Sequence, residues 1–193
     1  MDGAIMYDGA DTVVLYEELA FQDVLPLSWK PMATAIDREL TASFDERNLR
    51  LLHAWEAMDQ HVPAPEKVED APYTAEIMRL DLKLNLLLDL VGQLLVANHP
   101  RPHPVPVRFN ALGAMWRGTG TLPEAGEQGV VEIYLKDSLP EPLRMAGRVT
   151  SVTPEGGIKV KFLPMGEGVS DILEKLAFRR HRRQIAGARQ PRR

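Results

Sequence analysis

Cysteine is absent from all 193 residues. Its absence excludes a disulfide scaffold, a zinc ribbon, a thiol nucleophile and an iron–sulfur cluster. An unbroken apolar run is also missing. The most apolar stretch, Ile77 to Ala97, is interrupted by Arg79, Asp81, Lys83, Asn85, Asp89 and Gln93, too many polar groups for insertion into a membrane. The opening MDGAIMYDGAD has acids where a secretory signal has positive charge, so a cytoplasmic protein is expected. No P-loop, G-x-S-x-G or H-E-x-x-H occurs. His99 and His103 have a spacing that suits a metal only on a helix, and Pro100, Pro102 and Pro104 forbid one there. Asp8 with Asp11, or Asp137 with Glu141, lacks a companion nucleophile or base and reads as solvated turn chemistry. Neither a cofactor, a metal nor enzyme activity is expected.

What is present is ordinary in bulk and uneven in place. Apolar residues make up 45% and charged residues 26%, as in a soluble globular protein, and the length allows one domain or a small domain plus an appended element. The last fifteen residues, Arg179 to Arg193, hold seven Arg and no acid, whereas the preceding 178 carry 16 basic and 27 acidic residues. Such a basic tail is commonly a solvated terminus; it is also a means of meeting phosphate, acidic protein or an anionic surface. Glycine is missing between Ala10 and Val91, while ten of the fourteen lie between Gly113 and Gly168. Proline is missing from Met32 to Val62 and from Tyr73 to His99. Both residues break helices, so these windows are where long helices form.

In the first window, Ile36, Leu40, Phe44, Leu51, Leu52, Trp55 and Met58 recur at helical steps and mark one apolar face. A Pro-rich, charged connector, His61–Pro72, follows it. The second helix ends at Asn98, His99 and Pro100. Within it Ile77, Leu84 and Val91 are seven apart, with Leu80, Leu87 and Leu94 three residues after each. This is an a/d heptad register held for three repeats, widened by Leu88 and Leu95 at e and Leu90 and Ala97 at g. Such a stripe must be covered, each large side chain being worth roughly 1.5–3 kcal/mol when buried. Two covers are open: the chain's own first helix folded back as a hairpin, or sister chains in a bundle. The breadth of the stripe favours a homo-oligomer, with a tetramer preferred.

Past Pro104 the pattern changes to short strands near Val105–Phe109, Ala114–Arg117, Val130–Leu135, Leu143–Val152 and Ile158–Leu163, with turns between. An α+β fold follows, with a small antiparallel barrel. Ser170 is the expected N-cap and Asp171 a first-turn acid of a final helix whose apolar face is Ile172, Leu173, Leu176 and Ala177. Residues 1–30 hold Thr12–Tyr16 and then Leu25, Leu27 and Trp29, an extended apolar segment expected to add a strand to the barrel. The division is 1–30 as N-terminal segment, 31–98 as two long helices, 99–185 as barrel plus helix, and 186–193 as a basic disordered tail.

The order of these pieces resembles the PilZ domain family. Gly126 precedes Val130-Val131-Glu132-Ile133-Tyr134-Leu135, the turn Leu139-Pro140-Glu141-Pro142 follows, and then come Ala146-Gly147-Arg148-Val149, Gly157-Ile158-Lys159-Val160-Lys161-Phe162 and a helix through Phe178-Arg179-Arg180. The likeness is to the type IV pilus-associated branch, and it implies a bacterial β-barrel adaptor in cyclic di-GMP signalling, acting on pili, motility or virulence through a protein partner. Strong binders in that family have an RxxxR pair and a D/N-x-S-x-x-G motif. Here Arg101 and Arg108 are seven apart, and Phe109-Asn110-Ala111-Leu112-Gly113 keeps only the Asn. Arg101, Arg108 and Asn110 are the residues the resemblance offers as ligand contacts, and weak or no dinucleotide binding is expected. The alternative is a nucleic-acid-binding small barrel with a basic arm. Phe109, Trp116, Tyr134 and Phe162 give it little aromatic interleaving for stacking bases.

Overall fold

The computed structural model describes residues 20–59, 74–98, 100–118 and 120–188. Six strands and three helices occur there in the order β1 (Phe21–Pro31), α1 (Arg38–Asp59), α2 (Thr74–Asn98), β2 (Pro104–Phe109), β3 (Gly113–Arg117), β4 (Gln128–Ile133), β5 (Leu143–Val152), β6 (Gly157–Phe162) and α3 (Glu167–Ala188). All strand pairs are antiparallel and close a barrel in the order β1-β2-β3-β6-β5-β4. The segment with Leu25, Leu27 and Trp29 is the strand that completes it. The first half of β1 pairs with β2 (Phe21↔Phe109 to Pro26↔Pro104), and its second half pairs with β4 (Leu27↔Ile133 to Pro31↔Gly129). One strand thus satisfies both edges that the other five leave open. Thr12–Tyr16, the connector His61–Pro72 and residues 189–193 lie outside the described residues.

Alternation fills the barrel. Phe21, Leu25 and Leu27 of β1 turn inward with Val107, Phe109, Trp116, Val131, Ile133, Met145, Val149, Val160 and Phe162. At the end where Phe21 and Phe109 stack at 5.2 Å, the core continues into Leu51 and Leu52 of α1 and Val169, Ile172, Leu173, Leu176 and Ala177 of α3. Two polar side chains fix α1 there. Asn48 Nδ2 donates to the Arg144 carbonyl at 2.6 Å and its Oδ1 accepts the Arg144 N–H at 2.9 Å, as a neighbouring strand would. Asp45 Oδ2 accepts the Gly166 N–H at 2.7 Å.

That last bond corrects the start of the final helix. α3 begins at Glu167, three residues before the expected cap Ser170, because Asp45 holds Gly166 while the Gly166 carbonyl accepts the Val169 and Ser170 N–H groups. The helix also runs to Ala188, beyond the expected boundary at residue 185. α1 decides against one of the two covers left open for the leucine stripe. It packs on β5 and α3, and so it does not fold back over the leucine stripe of α2 as a hairpin.

Candidate functional site

The heptad positions are all exposed large apolar side chains. Ile77 is 63% exposed, Leu80 65%, Leu84 56%, Leu87 58%, Val91 43% and Leu94 64%. Leu90 at g is exposed, and so are Leu82 and Leu86 on the other faces, so α2 projects from the barrel over most of its length. It is anchored near its C-terminal end. Gly92 is buried against the β4–β5 loop so closely that a Cβ there would lie 2.8 Å from Ser138 Cα and 2.9 Å from the Asp137 carbonyl oxygen. Only glycine permits this approach.

Arg101 reinforces the same anchor from the segment before β2. Its Nη1 donates to the Lys136 carbonyl (3.0 Å) and to Asp137 Oδ1 (3.2 Å), and its Nη2 donates to the carbonyls of Asp137 (3.1 Å) and Leu139 (2.8 Å). The guanidinium carbon sits 4.8 Å from the centre of the Tyr134 ring, and only 8% of the side chain is exposed. Four donor contacts therefore go to one loop, which the guanidinium fork holds closed.

Arg108 lies elsewhere. It is the outward residue of β2 next to Gln22 of β1 and Met115 of β3, and it lines a groove that shares no residue with the surroundings of Arg101. Asn110 is buried in the β2–β3 turn, where its Oδ1 accepts the N–H groups of Leu112 (2.9 Å) and Gly113 (3.2 Å). This is turn chemistry of the Asx kind. Its Nδ2 is buried with no hydrogen-bond partner among the described residues. The three residues offered as ligand contacts are thus dispersed: one closes a loop, one faces a groove and one builds a turn.

The sequence did not reveal the charged network beside them. Glu132 is only 4% exposed, yet it accepts from Lys30 Nζ at 2.9 Å, Arg144 Nε at 3.0 Å and Ser28 Oγ at 3.3 Å. Burial pushes its carboxyl pKa up, but the bonds from Lys30 and Arg144 outweigh that and hold it below the ordinary 4.5. Its only advance signal is an acid inside the apolar run Val130–Ile133. Among the described residues there is no group of three or more His, Asp or Glu able to hold a metal, and no helix long and apolar enough to cross a membrane.

Comparison with known families agrees with this architecture. The model of the atypical PilZ domain, described as a cyclic di-GMP receptor, matches residues 52–190. The chain belongs to the atypical PilZ family. The PilZ match starts within α1, so β1, which closes the barrel, lies wholly outside it. A solved structure from Xanthomonas campestris is similar over nearly the whole PilZ chain: 28% identity and a TM-score of 0.65, covering 95% of this chain and 99% of that one. That structure is described as a pathogenic protein with a new tetrameric PilZ domain self-assembled via an unusual helical bundle. No curated protein matches this PilZ chain.

Proposed function

We propose that this protein is a non-catalytic, cytoplasmic PilZ adaptor that assembles through α2 into a homotetramer. It acts in cyclic di-GMP-linked control of pili, motility or virulence, with weak or no binding of the dinucleotide itself. One observation carries the reading: six a/d side chains on α2, Ile77 to Leu94, stand 43–65% exposed while α1 is occupied by the barrel. The unmet burial of six such side chains is a large driving force for association, at roughly 1.5–3 kcal/mol each when fully covered. The additional leucines at 88 and 90 favour four chains over two. The Xanthomonas relative, tetrameric through a helical bundle and alike over 99% of its length, supports the same arrangement here.

The weak-binding part rests on Arg101, whose guanidinium is engaged by Lys136, Asp137 and Leu139, and on Asn110, whose oxygen is used by its own turn. Light scattering of the full chain and of the double variant Leu84→Asp with Leu87→Asp tests the assembly. The expected masses are four times 21.6 kDa for the former and a single folded chain for the latter, since buried charges in a multi-chain core are too costly. A wild-type chain that stays monomeric at every concentration overturns the assembly. Calorimetric titration with cyclic di-GMP tests the rest; micromolar saturable binding overturns the claim of a degenerate site.

A further inference from the structure

Charge is segregated on this barrel. Strands β2, β3, β5 and β6 contain no Asp or Glu, but they contain Arg108, Arg117, Arg144, Arg148, Lys159 and Lys161. The register gathers most of these on one outer face. Arg108 lies beside Met115, Met115 beside Lys159, and Lys161 between Gly113 and Arg148. This cationic sheet sits in a chain whose first 178 residues carry eleven more acids than bases. At the β1 side of the face, under α3, runs a groove of about 680 Å3. Val24, Pro106 and Met115 make its apolar part, and Arg108, Arg117 and Arg180 give it positive charge. Asp23 also lines it, held by Arg180 Nη2 at 2.8 Å. Val24 is 58% exposed there.

We propose that this groove docks an extended segment of a partner protein in which acidic and apolar residues alternate. Charge complementarity selects an anionic occupant. Arginine forks pair with carboxylates, while the apolar stretch takes side chains from the other face of an extended strand. The mixture of apolar and cationic lining along one shallow groove suits a peptide that carries both kinds of side chain. Nucleic acid fits poorly because the aromatic residues of these strands, Phe109, Trp116 and Phe162, are all buried and leave little ring surface on which to stack a base. The inference rests on the adaptor reading and supplies the chemistry of its partner.

The test is fluorescence polarisation of a labelled peptide of alternating glutamate and valine, titrated with the full chain. Saturable binding is expected. Arg108→Glu combined with Arg117→Glu weakens it about tenfold or more, as reversed charges at an interface do. Val24→Ser weakens it several-fold, and Arg50→Glu on the far helix α1 leaves it unchanged. Near-UV circular dichroism establishes that each variant is folded; if the double variant is not, Val24→Ser and Arg117→Gln carry the same comparison. Solution mass and a cyclic di-GMP titration on the same samples separate the two readings: no peptide binding by a tetramer that ignores the dinucleotide overturns the groove alone. Equal or tighter binding of labelled single-stranded DNA, or of anionic lipid vesicles, overturns it in favour of those polyanions. Tighter peptide binding by a full chain with Asp2→Asn, Asp8→Asn, Asp11→Asn, Glu17→Gln and Glu18→Gln would put the chain's own N-terminal segment in the groove and overturn docking of a partner.

Discussion

Arg101 shows how far a residue's chemistry depends on partners distant in sequence. The motif logic treats it as a phosphate clamp, yet its four donor contacts end on residues 136–139, 35 to 38 positions away. No local pattern announces that loop, so the role was not legible. Arg101→Ala should lower stability by about 1–3 kcal/mol, the range for leaving buried polar groups unmet, and should leave any residual cyclic di-GMP titration unchanged. Urea denaturation beside calorimetry checks both. Glu132 gives a second prediction at this scale. Its folded-state pKa lies below 4.5, so its contribution is present above the unfolded value and is lost as pH falls through the folded one. Wild-type stability should therefore fall more steeply than that of Glu132→Gln as pH drops below 4.5, in denaturation curves taken across that interval. Gln keeps the shape and removes the titration. Asn110 was offered as a ligand contact, yet its oxygen serves its own turn by accepting the N–H groups of Leu112 and Gly113.

Elements are legible in the sequence wherever periodicity alone decides them. The heptad helix, the last five strands and the helical face holding Leu51, Leu52, Trp55 and Met58 all stand where local pattern puts them, within a few residues. The start of α3 was displaced because the capping carboxylate, Asp45, comes from another helix 121 residues away. Gly92 had no special standing in the sequence either. Alanine at that position gains up to about 1 kcal/mol of helix propensity. Against that gain stands a Cβ within 2.8 Å of backbone in the β4–β5 loop, which no side-chain rotation can relieve. The clash should win: Gly92→Ala lowers the thermal midpoint and frees α2 at its base, measured by calorimetry and by hydrogen exchange of residues 88–97.

For the whole molecule, the leucine stripe and the barrel are separable in effect. Substitutions at Leu84 and Leu87 should change mass without changing barrel stability, because those side chains are outside the core. Leu27→Ala should do the reverse, costing about 2–5 kcal/mol through the cavity it leaves while keeping any assembly that α2 provides. Light scattering and denaturation of the two variants test that division. The sequence indicated the barrel class, but not that one strand would serve two edges, since both partners of β1 lie beyond a long helical insertion and are themselves separated by β3.

That double pairing carries a temporal consequence. The strand that leaves the ribosome first finds neither neighbour until the chain has reached residue 109 for one and residue 133 for the other. Through that interval Phe21, Leu25 and Leu27 must wait as an unsheltered greasy ribbon, and the cylinder seals only once the far later strands between its two neighbours have also been made.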